Sequence, residues 1–122
     1  MSKSREEAHN AFRPLWITAH TALIEAGDLA RQDTLPSGTE MRSYETIGGA
    51  TITKLGDILL VNADFVKPDG TEEEVRIQFP EDIRDLSEAT VEIDWHNEDK
   101  SGSNTPPLRR FPELANSLLE LM

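Results

Sequence analysis

Between residues 4 and 27, apolar side chains recur at spacings of three and four: Phe12, Leu15, Trp16, Ala19, Leu23 and Ala26. That period places them on one face of a helix. Pro14 lies inside the pattern, where a proline removes a backbone hydrogen bond and crowds the preceding turn. The helix either begins there, with Pro14 in its first turn, or runs through it frayed or bent. The second reading, one helix over 4–27 stopped by Gly27, is the one adopted. Residues 31–40 (RQDTLPSGTE) read as a loop by composition.

Further along, the period shortens to two. Residues 41–47, 50–55, 58–66, 71–79 and 89–96 read as strands, the first with poorly sorted faces. Gly48-Gly49 is expected to form a two-residue hairpin turn, and Gly56-Asp57 a type II′ turn with glycine first. Lys67-Pro68-Asp69-Gly70 suits a type I turn with glycine in the left-handed bulge position. That turn sets Lys67 opposite Thr71, and the register of the hairpin follows by counting. Leu59 faces Phe79, Val61 faces Ile77 and Ala63 faces Val75, all apolar and all on one side. The other side pairs Leu60 with Gln78, Asn62 with Arg76 and Asp64 with Glu74. A slip of one residue would destroy this sorting. Glu72 points outward with Glu74. Glu73 has inward parity opposite Phe65, at the open end of the hairpin, where it is expected to reach water.

Pro80 is expected to end the strand and to stand at the start of one or two helical turns in PEDIRDL. In ATVEIDWH, Ala89, Val91, Ile93 and Trp95 face inward, and Thr90, Glu92, Asp94 and His96 face outward. Residues 97–107 read as a flexible polar loop. In FPELANSLLELM, Phe111, Leu114, Leu118 and Leu121 form one helical stripe with Pro112 in the first turn. The predicted fold class is α+β: two layers, an antiparallel meander of about four to five strands, and an N-terminal and a C-terminal helix packed on one face. The opposite face would be bare, polar and acidic.

Length changes this picture little. A chain of 122 residues fits a single domain, 1–122, with residues 1–10 frayed. Cysteine is absent, which removes disulfides, thiolate metal sites and thiol nucleophiles. No apolar run approaches the roughly 18 residues of a membrane span, and MSKSREEAHN has no apolar signal core. The expected location is therefore cytoplasmic, with no membrane partner.

Charge changes the picture more. Twenty-three acidic residues against 12 basic ones give a net charge of −11. Residues 64–99 hold 13 Asp or Glu and three Lys or Arg, nearly the whole imbalance. Direct nucleic-acid binding is not expected of such a chain, because that affinity comes from Lys and Arg on phosphates.

The candidate partner-binding residues are Asp64, Glu72, Glu74, Glu92 and Asp94, with Arg76 among them. Like charges directly across a ladder destabilise it, and a face shaped only for stability would intersperse Lys. A surface for a basic protein partner accounts for the pattern through charge complementarity. A solvated, solubility-promoting face has the same composition. Ile58, Leu60 and Val66 share the outer parity and would form an apolar spot beside the carboxylates, which suits an interface and equally permits a homodimer.

A rival site is Glu92-x-Asp94-x-His96, three same-face residues stepping about 6.5–7 Å apart. Two neighbours of the three can ligate a divalent ion or act as an acid–base pair. A dedicated Zn or Fe site calls for a second histidine, but His9 and His20 lie on the first helix, about 16 Å apart along its axis. They read as a solvent-facing stripe with Arg13 between them. Gly48-Gly49 lacks the surroundings of a phosphate loop, and no G-x-S-x-G is present. Arg109-Arg110 read as flanking surface charges. The expectation is a small acidic, non-catalytic interaction protein that needs no cofactor. It would resemble in charge and size an inhibitor or antidote, of the immunity or phage anti-defence type, acting on a basic nucleic-acid-handling protein. The alternatives are a small metal-binding or hydrolytic domain using Glu92, Asp94 and His96, and a subunit or homodimer with no site of its own.

Overall fold

The computed structural model describes residues 3–27 and 31–122. Helix α1 (Lys3–Ala26) leads into seven strands, β1 (Arg31–Thr34), β2 (Glu40–Glu45), β3 (Thr51–Leu55), β4 (Ile58–Val66), β5 (Glu72–Pro80), β6 (Thr90–His96) and β7 (Ser101–Asn104), and helix α2 (Phe111–Glu120) closes the chain. The strands form one antiparallel sheet in sequence order, β1 to β7. The class is the expected α+β with one helix at each end of the chain, but the sheet has seven strands rather than four to five. The two additions fall in segments that read as loops, 31–40 and 97–107. Neither β1 (RQDT) nor β7 (SGSN) carries an apolar side chain, so neither shows an alternation of hydrophobicity.

Helix α1 runs unbroken through Pro14. Gly27 stops it with φ of 50°, a left-handed value that glycine adopts without a side-chain clash. The expected fraying of residues 1–10 falls partly outside the described residues; from Lys3 the chain is helical.

Three of the turns share one geometry. In Leu35–Thr39, Thr46–Ala50 and Lys67–Thr71, the first residue donates its N–H to the fifth residue's carbonyl, and a glycine N–H bonds back to the first. That glycine is Gly38, Gly49 or Gly70, with φ of 89°, 101° and 88°. This is the glycine-bulge loop expected at Lys67. It corrects the two-residue turn read at Gly48-Gly49: the loop there holds Ile47, Gly48 and Gly49. At Gly56-Asp57 the expectation holds. Leu55 pairs with Ile58, and only Gly56, at 58°, has a positive φ, as a type II′ turn requires.

The central hairpin has the register counted from its turn, from Leu59 opposite Phe79 to Phe65 opposite Glu73. One face of the sheet supplies Ile52, Leu59, Val61, Ala63, Val75, Ile77, Phe79, Val91 and Ile93, all at most 3% exposed. Phe12, Leu15, Ala19 and Leu23 of α1 and Leu114 and Leu118 of α2 complete the same cluster. Phe12 meets Phe79 edge-on, with ring centroids 5.7 Å apart, and lies 5.4 Å from Phe111. Trp16 donates its indole N–H to the Pro80 carbonyl at 3.1 Å. Pro80 ends β5 as expected, but the helical turns do not start at it; they begin at Ile83, as a short 3-10 segment over Ile83–Glu88.

Thr46 is the buried polar residue among the described residues. Its hydroxyl donates to the Leu121 carbonyl at 2.5 Å and accepts the Ala50 N–H at 3.0 Å. One side chain therefore ties the end of α2 to the β2–β3 loop. Gly48 lets the two approach: a Cβ there would lie 2.6 Å from the Leu121 carbonyl carbon and 2.7 Å from its Cα. Because both helices cover the inner face, the outer parity of β4, β5 and β6 is left to solvent.

Candidate functional site

The outer face can be followed row by row through the pairings. The first row is apolar: Met41, Leu55, Ile58 and Pro80 stand directly opposite one another across β2 to β5. Next come Thr53, Leu60, Gln78 and Thr90, and then Thr51, Asn62, Arg76 and Glu92. The fourth row is Asp64, Glu74, Asp94 and Ser103, and the last is Val66, Glu72, His96 and Ser101. Three carboxylates thus stand directly opposite one another on three adjacent strands.

The apolar spot lies elsewhere than expected. Ile58 is half-buried and six residues from Asp64, about 20 Å along the strand. Leu60 is half-buried as well. Only Val66, 72% exposed, stands among the carboxylates. The face is graded, apolar at one end and acidic at the other. Glu73 also differs from the expectation of an open, solvated position. Its side chain is only 14% exposed and pairs with the Lys67 ammonium at 3.3 Å.

The acidic end is held by a short network. The Arg76 guanidinium lies 2.7 Å from Glu74 Oε1 and 3.8 Å from Asp94 Oδ2. The Asn62 amide donates to Glu74 Oε2 at 3.4 Å, and the Ser103 hydroxyl donates to Asp94 Oδ1 at 2.5 Å. The Ser103 bond and the Arg76 charge hold the Asp94 carboxyl below its usual value. Glu72 faces His96, with Nε2 3.3 Å from Oε2, an ion pair when the imidazole is protonated. Asp64, opposite Glu74, extends the row to β4.

A concavity of about 640 Å³ opens at this end of β4 to β7, lined by residues 64–66, 72–74, 94–96 and 101–103, so by residues of both parities. All six residues singled out for partner binding, Asp64, Glu72, Glu74, Arg76, Glu92 and Asp94, lie on the one face; Arg76 and Glu92 flank the concavity. Sequence reading missed Ser103 and Ser101, because the strand that carries them has no hydrophobic period.

In the rival trio, Glu92, Asp94 and His96 do share the outer face, but their partners differ. Asp94 turns to Arg76 and Ser103, and His96 to Glu72. Among the described residues, no group of three or more His, Asp or Glu is placed to hold a metal ion. On α1, Arg13 and His9 share a hydrogen bond of 3.4 Å and His20 stacks on Trp16 with centroids 4.8 Å apart, so the two histidines have separate surroundings.

Among the described residues, no helix is long and apolar enough to cross a membrane. No protein-family model, no curated protein and no solved structure matches this chain.

Proposed function

We propose that this is a non-catalytic interaction protein whose acidic sheet face docks on, and blocks, a basic surface of a nucleic-acid-handling protein. The observation that carries the reading is the Asp64–Glu74–Asp94 row. A single arginine serves Glu74 and Asp94, on a face that no described helix covers. Lining up carboxylates across a ladder costs stability, and interspersed lysines would avoid that cost. The arrangement makes sense where a cationic partner supplies the missing charge. The network of Asn62, Arg76 and Ser103 holds the carboxylates in place before the partner arrives, which lowers the ordering cost of association. The apolar row of Met41, Leu55, Ile58 and Pro80 gives the same face an end from which water can be expelled.

Affinity capture from the native host tests this reading. The parent should retain a basic protein in a salt-sensitive manner. The variant Glu74→Lys/Glu92→Lys/Asp94→Lys should not retain it, while its circular dichroism stays that of the parent. Equal retention by parent and variant removes the proposal.

A further inference from the structure

The sheet has two edges, and they are built differently. Natural edge strands are commonly guarded by charges, prolines or bulges against pairing with another chain. Strand β1 carries Arg31 and Asp33. Strand β7, Ser-Gly-Ser-Asn, carries no charge and no proline, and no described strand lies beyond it.

Its open hydrogen-bonding groups can be identified. The Asn97 N–H bonds to the Lys100 carbonyl at 2.8 Å, so that pair is a bonded one. Bonded and non-bonded pairs alternate in an antiparallel ladder. Trp95–Gly102 and Ile93–Asn104 are then bonded, and Asp94–Ser103 and His96–Ser101 are not. Ser101 and Ser103 therefore turn their N–H and C=O groups to the open edge.

The two sides of this edge differ chemically. On the outer side lies the acidic row, with Asp94 bound to Ser103 and Glu72 facing His96. A strand added beyond β7 would lie two strand spacings, about 9.5 Å, from β6, within reach of a leaning lysine stem. On the inner side, the half-buried Trp95 ring lies over Gly102: a Cβ on that glycine would be 2.9 Å from Trp95 Cζ2. The indole thus offers an apolar surface next to the edge.

We infer that β7 is a strand-addition site for an extended basic segment of the partner. Such a segment would have Lys or Arg at alternate positions over the acidic side and apolar residues between them against Trp95. Main-chain bonds supply affinity in this mode and alternate side chains supply specificity. A second copy of this chain fits poorly, because edge-to-edge pairing would bring two acidic rows together in a chain of net charge −11. The inference rests on the acidic-face reading and adds the mode of engagement.

The test uses the whole protein and a blocked peptide, Thr-Lys-Val-Lys-Val-Lys-Thr, followed by amide NMR and hydrogen exchange. Saturating peptide should slow exchange at Ser101 and Ser103. Two further peptides carry N-methyl groups, one on the lysine amides and the other on the intervening amides. Only one set faces β7, and which one depends on strand direction. Methylation of that set should weaken binding about tenfold or more, and methylation of the other should leave it near the parent value. Ser101→Pro, which removes an outward N–H and no ladder bond, should also weaken binding. Methylated peptides that behave alike overturn the edge mode. If in addition the shifts centre on Asp64, Glu74 and Asp94 without protection of β7, the acidic-face reading survives alone. No shift with any peptide removes the edge mode and counts against the face as well. Peptide-independent self-association that protects Ser101 and Ser103 replaces the basic segment with a second copy and overturns the inference.

Discussion

Replacing Thr46 by valine keeps the shape of the side chain and removes its hydroxyl. Two bonds go with it: the donation to the Leu121 carbonyl at 2.5 Å and the acceptance of the Ala50 N–H at 3.0 Å. Ala50 is fully buried and Thr46 is 7% exposed, so water cannot replace the acceptor that Ala50 loses. A buried donor or acceptor left unpaired costs about 1–3 kcal/mol. The Leu121 carbonyl is only partly buried and contributes the smaller share. The expected loss for Thr46→Val is therefore about 2–4 kcal/mol. At an unfolding entropy of about 2.1 cal/mol/K per residue, the chain changes stability by roughly 0.26 kcal/mol per degree, so Tm should fall by about 8–15 °C. Urea unfolding and calorimetry measure this directly. Thr46→Ser keeps both bonds and loses one methyl, and should cost about 1 kcal/mol. A Thr46→Val protein within about 0.5 kcal/mol of the parent would refute the claim that this hydroxyl clasps α2 to the β2–β3 loop. Since that clasp lies on the helix side of the sheet, the surviving folded variant should bind a basic partner as the parent does.

Other consequences follow from the same contacts. Leu118→Ala, at a site 0% exposed between α2 and the sheet, should cost about 2–5 kcal/mol in urea unfolding. Asp82 is held at about 2 by the Arg84 side chain and backbone N–H, against an ordinary value of 3.8. Its carboxylate stabilises the fold above the ordinary value, and that contribution is lost as pH falls through about 2. An NMR titration should find the low midpoint, and Arg84→Ala should raise it toward 3.8. For Asp94 the sign is the same, and Ser103→Ala, which removes the first cause of its lowered value, should raise its midpoint. Gly102→Ala should displace the Trp95 ring and alter its fluorescence while leaving the secondary structure unchanged.

The central hairpin was legible because two independent signals agreed there. A turn with one permitted geometry set the register, and the apolar sorting of Leu59, Val61 and Ala63 against Phe79, Ile77 and Val75 checked it. The outward placement of Glu72 and Glu74 came with that register, and that of Glu92 and Asp94 with the alternation of residues 89–96. The edge strands were illegible for the opposite reason: β1 and β7 bury nothing, so nothing in their sequences alternates. The same gap hid Ser103, whose hydroxyl holds Asp94. Nor did the sequence distinguish a two-residue turn at Gly48-Gly49 from a bulged loop, because a glycine pair suits both. The gradient from Met41 and Leu55 to Asp64 and Glu72 appears only when neighbouring strands are laid side by side. Residues of one row, such as Met41 and Ile58, are 17 positions apart in the chain.

The central claim is that the outer face is a docking surface for a basic protein, and capture from the native host with quantitative mass spectrometry tests it most directly. The parent should enrich a basic protein that is released as salt rises. The Glu74→Lys/Glu92→Lys/Asp94→Lys variant, folded as the parent, should lose it. Identical protein profiles from parent and variant at every salt concentration would contradict the account.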